Sequence, residues 1–159
     1  MKYIRFYQIV TALCCLFLIS CGIDKNLKKG EKFLSLGEYY DAANQFKQAY
    51  TRTPAKERDT RGKRALKMAQ CYQRINATPK AIAAYRNAIR YNQASKEDQL
   101  AYARQLLKNG DYRQAEKVFL MLKDSMPGNQ LVANGLKSAQ MAPEWRKQGS
   151  RYIGKRMDV

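Results

Sequence analysis

Three stretches of this chain repeat one another, and that repetition restricts the fold to a stack of like units. The first copy, Ile23 to Lys56, carries Gly30, Gly37-Glu38-Tyr39, Ala42, Phe46, Ala49 and Pro54. The third, Lys96 to Asn129, carries Ala103, Gly110-Asp111-Tyr112, Ala115, Phe119, Leu122 and Pro127 at the same offsets. A middle copy, Gly62 to Ser95, keeps Ala69, Tyr72, Ala81, Tyr85 and Ala88, but has Asn76 for the turn glycine and Gln93 for the final proline. The starts at 23, 62 and 96 lie 39 and then 34 residues apart, so five extra residues around Glu57–Arg61 lengthen either a connection or the helix after it.

The spacing has a packing cause. Alanines at 42, 49, 81, 88 and 115 let neighbouring helices approach closely, while Phe46, Tyr85 and Phe119 fill the space between pairs. Each copy predicts two antiparallel helices, at 24–36 and 39–52, 60–75 and 78–91, and 96–108 and 112–124. Thr78-Pro79 has the form of a helix start, and Ser95 with Asp98 and Asp111 with Gln114 have capping-box spacing. A seventh helix, 130–141, is expected to follow Pro127-Gly128-Asn129, end before Pro143 and cap the array.

At its small, aromatic and terminal proline positions the pattern resembles the 34-residue tetratricopeptide repeat. The resemblance implies an all-α fold over residues 23–141, a right-handed superhelix of three helix-turn-helix repeats plus a C-terminal capping helix. It also implies a concave partner-binding face lined by the first helix of each pair. By offset that face takes Asp24, Leu27 and Glu31, then Lys63, Leu66, Gln70 and Arg74, then Leu100, Arg104 and Lys108. Its cations suit an acidic peptide or loop. The carboxylate clamp of chaperone-tail repeats is not expected, because Leu27 and Glu31 stand where its Lys and Asn would be.

The chain's beginning has a different logic. Lys2 and Arg5 precede an apolar run from Ile9 to Ile19, too short for a permanent bilayer span, which makes residues 1–20 a secretory signal peptide. Leu18-Ile19-Ser20-Cys21-Gly22 resembles the bacterial lipobox, in which the cysteine is acylated and becomes the first residue. Residues 21–22 are therefore the expected anchor, with Cys21 lipidated and the membrane as one partner. Gly22, in place of an aspartate, favours the outer membrane with the chain facing the periplasm. Lys25, Lys28, Lys29 and Lys32 would then lie close to lipid headgroups.

Composition narrows the chemistry. The sequence has no histidine, which removes histidine triads, histidine-ligated metals and histidine general bases. Cys14 and Cys15 fall in the leader, and Cys71 sits in the interior pattern of a helix, as a buried thiol would. The expectation is no enzyme, no cofactor, no metal and no small-molecule substrate. A formal charge of +17 calls for an acidic counterpart. Eleven tyrosines with that charge suggest single-stranded nucleic acid, but an exported chain has little access to it.

Residues 142–159 have no helical apolar period and read as a basic tail or linker toward a further domain. The order signal, lipobox, three repeats, Asn134-Gly135-Leu136-Lys137-Ser138 and a final Met157-Asp158-Val159 resembles the N-terminal part of OmpA-family envelope lipoproteins of the Bacteroidetes, the PorE type. That resemblance implies a scaffold in type IX secretion and gliding assemblies, followed by a β-propeller and a peptidoglycan-binding domain. The alternative is a glycan-uptake, starch-binding-like lipoprotein with similar repeats; Trp145 is the single tryptophan available for sugar stacking.

Overall fold

The computed structural model describes residues 25–157, with side chains from Lys25 to Gly149. The leader, Cys21, Gly22 and Asp24 lie outside the described residues. Within them are seven helices and no strand: α1 at 25–35, α2 at Tyr39–Arg52, α3 at Arg58–Arg74, α4 at Thr78–Arg90, α5 at Lys96–Asn109, α6 at Tyr112–Ser125 and α7 at Gln130–Met157. Consecutive helices pack on one another, and α7 also touches α5. The described residues are thus three helix pairs followed by a seventh helix that covers the last of them.

The turn inside each pair has one geometry used three times. Gly37, Asn76 and Gly110 take φ of 76°, 55° and 85°, the left-handed region that ends a helix. In each turn two amides reach back to the helix just ended. Gly37 and Glu38 donate to Leu34 and Phe33, Asn76 and Ala77 to Gln73 and Tyr72, and Gly110 and Asp111 to Leu107 and Leu106, at 2.9–3.1 Å. Asparagine tolerates this conformation, so the middle repeat keeps its turn without a glycine. Asn92, at φ 56°, ends α4 in the same way, with Asn92 and Gln93 donating to Ile89 and Ala88.

Starts follow the sequence less closely. The Ser95–Asp98 capping box is formed in both directions, at 3.2 and 3.0 Å. Thr78, by contrast, is the first residue inside α4 rather than its cap, and Asp111 makes no capping bond because its carboxylate accepts from Asn109 at 2.8 Å. The five extra residues serve both connection and helix. Thr53, ahead of Pro54, is extended, and α3 starts at Arg58.

The core is one continuous layer between the helices. Ala42, Ala49, Ala81, Ala88 and Ala115 are buried, as are Phe46, Tyr85 and Phe119. The glycines complete the fit. A Cβ on Gly30 would stand 2.6 Å from the Phe46 ring, and one on Gly135 would overlap the Phe119 ring. Gly30 packs α1 on the helix that follows it and Gly135 packs α7 on the helix that precedes it, so the two notches serve the first and the last helix contacts among the described residues.

One expected boundary is wrong. α7 does not stop before Pro143 but runs to Met157, so much of the segment read as a basic tail is helical. Proline costs a helix one backbone bond and about 3 kcal/mol. Here it is followed by good helix formers, Glu144, Arg146, Lys147 and Gln148, with Glu144 and Lys147 paired at 3.1 Å one turn apart. Residues 143–149 are exposed, so this part of α7 has no apolar face to reveal it in the sequence. No helix among the described residues is long and apolar enough to cross a membrane.

The packing gives a sign test. In an open helix Gly→Ala stabilises by about 1 kcal/mol. Gly135→Ala should instead lower stability by about 1–3 kcal/mol in urea unfolding, because the fully buried Phe119 ring has nowhere to move.

Candidate functional site

A groove of about 760 Å³ opens across the first helices of the pairs. Gln70, Gln73 and Arg74 form its α3 wall, and Glu97, Asp98, Ala101, Arg104, Gln105 and Lys108 form its α5 wall. Leu34, Tyr39, Asn76 and Tyr85 close it. From Glu97 to Lys108 the α5 wall spans about 16 Å at 1.5 Å per residue, acidic at its start and basic at its end.

Most polar groups at the wall have internal partners. Gln70 donates to Asp98 at 3.2 Å, the Tyr85 hydroxyl donates to Gln73 at 2.6 Å, and Lys108 donates to Asn76 at 2.7 Å. Arg74 lies over the Tyr39 ring, 5.9 Å from its centroid. Two groups stand apart. Arg104 is exposed with no hydrogen bond or ion pair among the described residues, and the buried side-chain oxygen of Gln105 accepts nothing there. Burial also pushes the Tyr85 phenol up to about 12, so it remains a neutral donor.

Of the ten residues expected on the concave face, Gln70, Arg74, Arg104 and Lys108 come together here. Leu100 does not; it is 7% exposed and belongs to the core, as does half-buried Leu66 packed against it, and Leu27 likewise. Lys63 is exposed but outside the groove. Glu31 forms an ion pair with Lys67 across α1 and α3, so an internal contact fills the place where a carboxylate clamp would begin. Lys25, Lys28, Lys29 and Lys32 are all exposed on α1.

Gln73, Asn76, Tyr85, Glu97, Asp98 and Gln105 were missed. Carrying offsets along the first helices selects residues near one line, whereas the wall is wider and takes in the neighbouring positions Gln73 and Gln105, the turn and the second helix at Tyr85. The Asn76 substitution for glycine was the one visible signal.

No family model matches the sequence, and no curated protein matches it. Solved structures do match in shape. The C-terminal tetratricopeptide-containing domain of a Plasmodium falciparum FK506-binding protein aligns at TM-score 0.63 and 16% identity, over 81% of this chain and 93% of that one. The first tetratricopeptide domain of Spaghetti (RPAP3), bound to the HSP90 peptide SRMEEVD, aligns at 0.61 and 17%, over 79% and 95%. The Sgt2 domain from Aspergillus fumigatus aligns at 0.58 and 18%, over 80% and 83%. The fold is that of a tetratricopeptide array. Three repeats and a capping helix account for every described element of it.

The thiol in this array is inert. Cys71 is 1% exposed, and burial pushes it up to about 11 from 9.0. A thiol raised in this way supports the fold fully below pH 9, and that support is lost as pH rises through 11, because only the unfolded chain ionises readily. Native protein at pH 8 should therefore resist iodoacetamide, urea-unfolded protein should react fully, and Cys71→Ala should flatten the loss of stability between pH 9 and 11. Rapid labelling of the native chain would contradict the burial.

Proposed function

We propose that this chain is a non-catalytic protein-binding scaffold of the bacterial cell envelope, tethered by acylated Cys21 and holding an acidic peptide or loop of an envelope partner in the α3–α5 groove. The carrying observation is the basic end of that groove, where Arg104 has no hydrogen bond or ion pair among the described residues, beside Arg74 and Lys108. A ligand lying along α5 would place its acid toward Lys108 and leave Glu97 for a basic or amide group.

The tether rests on the lipobox resemblance of Leu18 to Gly22, with the outer membrane facing the periplasm as the favoured site. A part in a type IX secretion assembly rests on the wider order of segments alone.

Arg74→Glu with Arg104→Glu should weaken capture of acidic peptides at least about tenfold, each reversal acting on the order of 1 kcal/mol at a partly exposed site. Lys63→Glu, outside the groove, should leave capture unchanged. Crosslinking with mass spectrometry in envelope fractions reads the partner, and equal crosslinking by both variants would remove the groove from consideration. Separately, Cys21→Ala should move the protein from the membrane to the soluble fraction.

A further inference from the structure

The basic run from Arg58 to Lys67 is only partly absorbed by the groove and the core. Arg64 is buried and donates to the Ala49 carbonyl at 3.0 Å and to the Thr53 hydroxyl, closing the end of α2. Arg61 donates to the Thr53 carbonyl at 2.6 Å and stacks on Tyr50, 4.4 Å from the ring centroid. Lys67 pairs with Glu31. What remains is a cluster around Tyr91, in the loop between α4 and α5.

Three guanidiniums converge on that tyrosine. Arg58 and Arg90 lie 5.5 and 5.1 Å from its ring centroid, and Arg61 and Arg90 donate to its hydroxyl at 3.3 and 3.4 Å. The loop is held close because α3 has a glycine beneath it; a Cβ on Gly62 would stand 2.8 Å from the Tyr91 Cβ. None of the three arginines forms an ion pair with a carboxylate among the described residues, and Asp59, the acid beside them, accepts from Gln93 at 3.4 Å. The Arg61 bond to the Tyr91 hydroxyl draws its proton affinity below the usual phenol range, a mark of local positive potential.

Topology aligns this cluster with the start of the domain. The Glu31–Lys67 pair joins α1 to α3, and the chain reverses at the Gly37 turn and again between α2 and α3, so Lys25, Lys28 and Lys29 stand at the level of the first turns of α3. Lys25 is four residues beyond Cys21. The α2–α3 connection, with Lys56, and the Tyr91 loop both lie at that end of the array.

We propose that this end is a membrane-docking surface, in which Lys56, Arg58 and Arg90 contact the phosphates of anionic lipid headgroups and Tyr50 and Tyr91 sit at the boundary between headgroup and acyl chain. Arginine forks match phosphate oxygens, and tyrosine has an apolar ring with a polar tip suited to that boundary. The proposal deepens the tethered-scaffold reading and rests on it for orientation. Docking would turn the far end of the groove, with Arg74 and Lys108, away from the bilayer and toward a partner.

The test uses the unacylated chain from Gly22 onward, which contains every described helix, sedimented with phosphatidylcholine vesicles with and without phosphatidylglycerol. Each cation at an anionic surface is worth about fivefold in partitioning, so Lys56→Ser with Arg58→Ser and Arg90→Ser should lower binding to anionic vesicles on the order of 100-fold. Arg61 is left in place because it closes α2. An equal charge loss at exposed Arg113, Lys117 and Lys137 on α6 and α7 should lower binding less than about tenfold. Equal losses in both triple variants, no binding by the parent chain, or binding to single-stranded oligonucleotide but not to vesicles would each overturn the proposal. Because the chain tested carries no acyl group, such a result leaves acylation at Cys21 to be judged by membrane fractionation alone.

Discussion

Close approach between helices, permitted by absent or minimal side chains opposite buried aromatic rings, is the contact on which this molecule depends. Gly30 faces Phe46 and Gly135 faces Phe119, and Ala42, Ala81 and Ala115 lie in the same buried layer. Neither partner can change alone. A larger residue at the notch drives the ring outward, and a smaller ring leaves a cavity that costs about 3–5 kcal/mol for a full truncation of phenylalanine. Because each unit contacts only its neighbours, every junction needs a close approach of its own, and α7 supplies the last one with Gly135 against Phe119. The array therefore needs its seventh helix as structure, whatever else that helix does.

The repeat also fixes where side chains are free to bind something. Aromatic and small residues are committed to the junctions, so the groove is left to polar residues one position away from them, and these largely satisfy one another through Gln70–Asp98, Gln73–Tyr85 and Lys108–Asn76. Pre-paired walls lose little conformational freedom on binding. Arg104 breaks that rule, an exposed cation without a hydrogen bond or ion pair among the described residues, which leaves the groove's unmet capacity at one level of α5.

How legible this was in the sequence depended on what each residue had to satisfy. Ala42, Phe46, Ala115 and Phe119 answer to a contact made identically in every copy, so their spacing gave the pairs and nearly all helix limits. Asn76 and Asn92 show a finer point. Their left-handed backbone is set by the tertiary crossing, and asparagine accepts it at modest cost, so a missing glycine did not mean a different turn. Pro143 misled for the opposite reason: residues 143–149 of α7 bury nothing, and an exposed stretch leaves no period to weigh against a proline. Leu100, buried, and Leu66, half-buried, lie outside the groove: an offset along a helix cannot tell the rim of a face from the core beneath it, a distinction of about 100° in direction for one residue.

Charge was the least legible property of all, since +17 is a total and the structure spends its cations in separate ways. Arg64 and Arg61 are consumed in closing α2, where a helix C-terminus presents unpaired carbonyls and a negative dipole end. Lys67 neutralises Glu31. Arg74 and Lys108 are held in the groove by a ring and an amide, neither of which removes their charge. The Tyr91 cluster does the same at the opposite end of the array, since stacking on aromatic faces positions guanidiniums without neutralising them. The result is a stack of helices with two separated positive regions, each oriented by neutral contacts. Such a distribution suits simultaneous engagement of two acidic surfaces better than one net charge spread evenly, because screening over about 8 Å in physiological salt makes each region answer only to what lies against it.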